Sequence, residues 1–265
     1  MAGIARRLYD GWDHFARSLR PELFDGEPFA PDRYVFRGMS DANWRLVSSF
    51  DRQFPGHVDR GRLSSALLRG FRAASEEWLD REILDDEDRL LALGQHHGLP
   101  TRLLDWSTSP YVAAFFALSG ALTTRGPAER HVSVWALHLD APVWTADLGV
   151  AFLPPGGGGN VRMRSQGGCF TRSLTPFASL EEYVEHTSFR GTALTQLSWP
   201  ARDAARGLAE LEMMGITTAR LFPDLDGAAR TALVRVRLAE DAGQAARTPP
   251  RGIAAGPLHR ALGAI

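Results

Sequence analysis

The chain contains no lysine, since all 30 of the basic residues among its 265 are arginine. This excludes enzymes that work through a lysine Schiff base or a lysine nucleophile. Cys169 is the only cysteine, which excludes an intramolecular disulfide and a zinc site built from several cysteines, and is typical of a reducing compartment. No run of about 18 apolar residues and no apolar signal segment at the N-terminus is present, so we expect no membrane span and a cytoplasmic location.

Several motifs of common enzyme classes are also missing. The chain has neither a G-x-G-x-x-G fingerprint nor a Walker sequence, and the glycines at 156–159 lack the Lys-Ser/Thr that would follow in a phosphate loop. Ser107 does not lie in a G-x-S-x-G elbow. His96 and His97 are adjacent and lack the spacing that places two histidines on one face, so we expect no metal site.

The composition is that of an ordinary folded domain, with 44% hydrophobic and 23% charged residues. A net charge of −1 argues against a globally basic nucleic-acid binder but permits a local groove lined by arginines. We expect one domain over 1–240. The Ala, Gly and Pro content of 241–265 predicts a poorly ordered tail.

The spacing of apolar residues predicts the secondary structure. Helices are predicted over 3–20 as an N-terminal cap, and over 62–83, 88–95, 201–214 and 225–238, with a further helix opened by Ser109-Pro110. Strands are predicted over 33–38, 44–48, 131–139, 161–172, 193–199 and 218–222, and a loop or a short strand over 102–106. Because strands are scattered between helices of unequal length, we predict an α+β fold with a mixed, mostly antiparallel central sheet flanked by helices.

One polar segment stands out between apolar helices. Residues 95–109 read QHHGLPTRLLDWSTS and carry nine polar or charged side chains in fifteen positions. A purely structural account pairs Asp105 with Arg102 or Arg37 and uses the hydroxyl groups as helix caps, which we prefer for Ser109. The density of the cluster favours a functional site for the rest.

The same residues carry a family resemblance. The segments YVFRG (34–38), LALGQHHGLPTRLLDWSTSP (91–110) and VAAFFA (112–117) closely resemble the FRG domain, named for its Phe-Arg-Gly motif. The resemblance extends to RMRSQGG (162–168), to Phe170 and to 215–227, and so covers about 33–235. It implies a bacterial or phage protein, a connection with toxin or antiphage defence systems, and an antitoxin or defence partner, but no particular reaction.

A second resemblance implies a reaction. The order of Arg37 on an early strand and Ser107-Thr108-Ser109 before a helix is similar to that in ADP-ribosyltransferases of the Arg-Ser-Glu type. This similarity implies NAD as substrate, a nucleic-acid or protein acceptor and no metal. The comparable third motif carries Gln166 where those enzymes have a glutamate, and a glutamine cannot carry charge against an oxocarbenium ion.

The similarity to ADP-ribosyltransferases implies roles for individual residues. Arg37 and Arg102 would bind the diphosphate, and Ser107 and Thr108 the nicotinamide ribose. The predicted catalytic residues are Arg37, His97, Ser107 and Gln166. The predicted cofactor-binding residues are Phe36, Gly38, Gln95, His96, Arg102, Asp105, Thr108 and Arg162.

Two alternatives remain open. The first is a non-catalytic nucleotide- or nucleic-acid-binding module in which Trp44, Trp106 or Phe170 stacks on bases. The second is a metal-independent phosphodiesterase that uses His96 and His97 as acid and base. An enclosed cleft would favour an enzyme, and an open groove lined by arginines would favour nucleic-acid binding.

Overall fold

The computed structural model describes residues 3–24, 33–124, 126–127, 129–155 and 161–247. Its strands are β1 (Ile4–Leu8), β2 (Tyr34–Met39), β3 (Leu103–Ser107), β4 (His131–His138), β5 (Val150–Leu153), β6 (Gly168–Ser173) and β7 (Leu194–Pro200). Its helices are α1 (Trp12–Phe24), α2 (Ser49–Gln53), α3 (Arg60–Ser75), α4 (Arg81–Asp85), α5 (Glu87–His96), α6 (Pro110–Thr123), α7 (Val161–Gln166), α8 (Leu180–His186), α9 (Ala204–Met213), α10 (Thr218–Leu221) and α11 (Leu225–Arg247).

The strands form one seven-stranded sheet in the order β1-β7-β4-β2-β3-β6-β5. β1 pairs with β7 in parallel, and every other neighbouring pair is antiparallel. The predicted α+β class, with a mixed and mostly antiparallel sheet flanked by helices, is confirmed.

Apolar side chains pack on both faces of the sheet. On one face, α6 lies against β2 and β4, and the core there includes Trp12, Phe15 and Trp199, with the rings of Phe15 and Trp199 stacked 4.0 Å apart. On the other face, Trp135 and Leu137 of β4 are fully buried. A smaller cluster lies beneath α3 and α5. The sheet is therefore covered on both sides, and β2 is central to it.

The predicted cap helix over 3–20 is wrong in its first part. Residues 4–8 form β1, and the helix begins only at Trp12. Leu8 at the end of β1 is 71% exposed, so it does not belong to a buried apolar stripe of a helix. The backbone N–H of Trp12 donates to Asp203 at 2.8 Å, so a contact distant in sequence holds the helix start.

Four other predicted elements differ from the structure. The strand expected over 44–48 is reduced to a bridge between Val47 and Ser179. The helix expected over 62–83 ends at Ser75, and Trp78 beyond it is 80% exposed. The strand expected over 161–172 is divided into α7 and β6, and the strand expected over 218–222 is the helical turn α10. Short apolar runs fit both strand and helix patterns, so only tertiary contacts could decide them.

The C-terminal helix is longer than predicted. α11 continues to residue 247, so the expected tail over 241–265 begins inside a helix. Residues 248–265 and the glycines at 156–159 lie outside the described residues. Within the part of the chain that is described, no helix is long and apolar enough to cross a membrane.

Candidate functional site

Phe36 and Gly38 belong to the packing of the domain. Phe36 is 4% exposed in the core beneath α6. A Cβ atom on Gly38 would lie 1.9 Å from the carbonyl oxygen of Ala113 in α6, so only glycine allows this helix to approach β2. Successive side chains of a strand point to opposite faces, so these two residues lie away from Arg37 between them. The predicted cofactor-binding role of Phe36 and Gly38 has no geometric support.

Arg37 joins β2 to β3. These strands are in register at a single pair, Phe36 and Ser107. In addition to this pair, Nη1 of Arg37 donates to the carbonyl oxygen of Asp105 at 2.8 Å and lies 3.5 Å from the Asp105 carboxylate. Its Nε is buried and has no hydrogen-bond partner within the described residues. Burial lowers the pKa of Arg37, the charge of Asp105 opposes this shift, and the charge of Arg52 adds to it.

A pocket of about 250 Å³ lies in front of Arg37. We call it the Arg37 pocket. Its polar walls come from Arg37, Ser49, Arg52, Gln95 and Asp105, and its remaining walls from Gly98, Leu99, Leu103 and Leu104. Nε2 of Gln95 donates to the Asp105 carboxylate at 2.7 Å, so Gln95 and Arg37 together hold this acid in place. The structure thus brings Arg37 together with two residues of the polar segment, Gln95 and Asp105.

Arg52 is a member of this pocket that sequence reasoning missed. It lies in α2, and its Nη1 donates to the carbonyl oxygen of Val47 at 2.5 Å. The signal that could have found α2 is the S-x-x-D pattern of Ser48 and Asp51, in which the Ser48 hydroxyl caps the helix. With Arg52, the Arg37 pocket contains two guanidinium groups and one carboxylate, which favours an anionic ligand.

Arg102 does not line the Arg37 pocket. It is 5% exposed, and its Nε lies 3.3 Å from the carboxylate of Asp51. Its other donors bond to the carbonyl oxygens of Thr175 at 2.7 Å and Phe177 at 2.9 Å. Arg60 binds the same carboxylate at 2.9 Å. We call Asp51, Arg60 and Arg102 the Asp51 cluster, and the hydrogen bonds of Arg102 fasten the 173–177 loop to it.

The structure places Ser107, Thr108 and Gln166 next to one another. The hydroxyl of Ser107 donates to the carbonyl oxygen of Gln166 at 2.6 Å and accepts from the N–H of Ser109 at 3.1 Å. The amide of Gln166 donates to the carbonyl oxygen of Leu221 at 2.9 Å, and the N–H of Thr108 donates to Gly167 at 2.9 Å. These bonds fasten α7 to the end of β3, and none of these three residues lines the Arg37 pocket.

A second and larger cavity of about 890 Å³ lies between α4–α5 and α7–β6. We call it the α5–α7 cleft. His96 and His97, at the C-terminal end of α5, line it with their rings 5.1 Å apart. Arg162 lines the opposite wall and forms ion pairs with Asp224 and with Asp226, the latter at 2.7 Å. The structure therefore separates His96, His97 and Arg162 from Arg37 and Gln95.

The charges of the cleft do not suit a phosphate. Partial burial and the charges of Arg162 and His97 lower the pKa of His96, which disfavours the protonated form of this ring. The guanidinium of Arg162 donates hydrogen bonds to Asp224 and Asp226, and these bonds raise its pKa. No group of three metal-ligating side chains occurs among the described residues. Cys169 is fully buried, and this burial raises the pKa of its thiol to about 12.

The family model of the FRG domain matches residues 32–125, a stretch that includes β2 to α6. Over this stretch the chain matches the FRG-domain family. The predicted resemblance is confirmed for this segment, and its extension to residue 235 stays a prediction. No curated protein and no solved structure matches the chain. The Arg37 pocket is built entirely from FRG-domain residues, whereas the α5–α7 cleft also uses residues from 153–170 and 223–224.

Proposed function

We propose that the FRG domain binds a phosphate-bearing nucleotide through the Arg37 pocket. The observation that carries this proposal is the meeting of Arg37 and Arg52 in one pocket with Asp105 as its single carboxylate. A guanidinium group presents a planar set of donors that matches the oxygens of a phosphate. The buried Nε of Arg37 has no partner among the residues described, so its donors are not all used within the fold.

The size of the pocket limits how much of a ligand it takes. Its volume of about 250 Å³ is below the range of about 300–1,000 Å³ that encloses a complete drug-sized ligand. It therefore takes the phosphate-bearing part of a nucleotide and leaves the rest outside. NAD is our first candidate from the sequence alone, in which the order of Arg37 and Ser107-Thr108-Ser109 is similar to that of NAD-dependent ADP-ribosyltransferases. Ser107 and Thr108 themselves lie outside this pocket.

The binding proposal is tested by calorimetric titration of NAD, ADP-ribose, ADP and single-stranded nucleic acid. We expect Arg52→Gln to weaken binding of the phosphate compounds about tenfold or more, since a hydrogen bond to a charged group contributes about 1.5–3 kcal/mol. Arg52 is exposed in α2, so its loss should leave the fold intact. The matched control is Arg206→Gln, since Arg206 is 63% exposed on α9 and outside both cavities. Equal affinity of Arg52→Gln and wild type would contradict the proposal.

A second candidate function is ADP-ribosyl transfer to a protein or nucleic acid. Breaking the bond between nicotinamide and ribose develops positive charge on the sugar, which a nearby carboxylate stabilises. Gln166 cannot supply that charge, but Asp105 can. Its carboxylate is 61% exposed at the Arg37 pocket and is held by Gln95 and Arg37. The toxin or defence setting that the family resemblance implies stays a prediction.

Transfer is tested by release of nicotinamide from labelled NAD in the presence of cell lysate, RNA or DNA. We expect Asp105→Asn to reduce release at least about tenfold, because the amide keeps the shape of the side chain but removes its charge. NAD binding should persist in this variant. Release that is unchanged in Asp105→Asn would contradict the assigned role, and no release by the wild type in any mixture would reject transfer while leaving the binding proposal to its own test.

A further inference from the structure

The α5–α7 cleft is large enough to enclose part of a macromolecule. Its volume of about 890 Å³ lies near the upper end of the range for ligand cavities. Apolar side chains from both walls line its interior, among them Ile83, Leu93, Leu153, Met163 and Phe170. An apolar interior of this size favours a ligand with apolar groups of its own.

Acidic residues surround this apolar interior. The carboxylates of Asp80, Glu82, Asp86 and Asp88 come from the α4–α5 wall, and that of Asp224 comes from the opposite wall. These five carboxylates face two guanidinium groups, those of Arg89 and Arg162. The lining therefore has a net negative charge.

The two arginines of the lining are already engaged with carboxylates. Arg89 lies 3.3 Å from Asp86, and Arg162 pairs with Asp224 and Asp226. Burial and the charge of Arg162 lower the pKa of His96, which disfavours a positive charge on this ring. A diphosphate would thus meet mainly repulsion in the cleft, whereas a cation would meet attraction.

Asp80 and Glu82 are the carboxylates best placed to meet a ligand. Both are exposed, at the start of α4. Asp80 occupies the N-cap position, but its side chain forms no capping hydrogen bond. By contrast, Asp86 caps α5 through the N–H of Arg89 at 3.1 Å, and Asp88 binds Arg172 at 2.8 Å.

We propose that the α5–α7 cleft binds a segment of a partner protein in which arginine or lysine side chains alternate with apolar ones. The long stems of these basic residues can pack on the apolar interior while their charged ends meet the carboxylates of the rim. This inference goes beyond the phosphate site and does not depend on it, because the Arg37 pocket and the cleft have no lining residue in common.

The test measures fluorescence anisotropy of a labelled peptide of alternating arginine and leucine, titrated with the full chain at physiological salt. We expect saturable binding, with weaker binding of peptides in which serine replaces leucine, and no binding when glutamate replaces arginine. Asp80→Asn combined with Glu82→Gln should weaken binding about three- to tenfold, the range expected from two partly screened ion pairs.

The matched control is Glu76→Gln combined with Glu77→Gln. Glu76 and Glu77 are also exposed, and their substitution changes the net charge by the same amount, but neither residue lines the cleft. Equal weakening in both double variants would mean non-specific attraction and would overturn the proposal, as would equal binding of the glutamate peptide. The Arg52→Gln variant has a weakened Arg37 pocket. If NAD still displaced the peptide from this variant, the cleft would be assigned to the nucleotide instead. Self-association that disappears in the Asp80/Glu82 variant, without peptide binding, would assign it to a second copy of the chain.

Discussion

Alanine in place of Gly38 is expected to lower the free energy of unfolding by about 3 kcal/mol or more. The added Cβ would lie 1.9 Å from the carbonyl oxygen of Ala113 and 2.8 Å from the backbone nitrogen of Ala117. Both atoms belong to the backbone of α6, so no side-chain rotation relieves the overlap. α6 would have to move away from β2 and β4. The largest core cluster of the described residues is packed between this helix and these strands.

Urea denaturation followed by tryptophan fluorescence measures this effect, and Gly70→Ala is the matched control. Gly70 lies within α3, where an added Cβ would have no atom within 4 Å. Alanine there should raise the free energy of unfolding by about 0.5–1 kcal/mol, because alanine loses less backbone entropy in a helix than glycine does. A Gly38→Ala protein as stable as the wild type would show that α6 does not approach β2 this closely.

Asp51→Ala is expected to lower the free energy of unfolding by about 3–5 kcal/mol, since it leaves a buried charge without its partner. Asp51 is 5% exposed and receives bonds from Ser48 at 2.7 Å, Arg60 at 2.9 Å and Arg102 at 3.3 Å. Arg102 is itself 5% exposed, and its guanidinium cannot reach water without releasing the 173–177 loop. Loss of the carboxylate therefore destabilises both the loop and α2.

The same denaturation experiment on Asp51→Asn distinguishes the effect of losing the negative charge from the effect of losing the volume of the side chain. Asparagine fills the site but removes the negative charge, so we expect an intermediate loss of stability. Asp147→Ala, at an exposed position, should change the free energy of unfolding by less than about 0.5 kcal/mol. If Asp51→Ala behaved like Asp147→Ala, the Asp51 cluster would not be the anchor of this loop.

The polar segment 95–109 shows why a candidate site can be only partly predicted. Its members are close in sequence and in space, but consecutive helical residues are turned by about 100° around the axis. Gln95 therefore faces the Arg37 pocket, while His96 faces the α5–α7 cleft. On β2, the strand alternation likewise separates Arg37 from Phe36 and Gly38. Residues that are clustered in the sequence therefore line two separate cavities. Basic side chains outnumber acidic ones in the Arg37 pocket, and acidic side chains outnumber basic ones in the α5–α7 cleft.

The sequence by itself determined the features that depend on local order. The α+β class, the FRG segment, the strand around Arg37 and the helix capped by Ser109 follow from periodicity and from hydrogen bonds between near neighbours. Only the tertiary structure decided the partners of Arg102 and Gln166, which lie 73 and 55 residues away in Thr175 and Leu221. A guanidinium or amide has the same donors whether it binds a ligand or a distant carbonyl, and only folding determines which of these acceptors comes within reach.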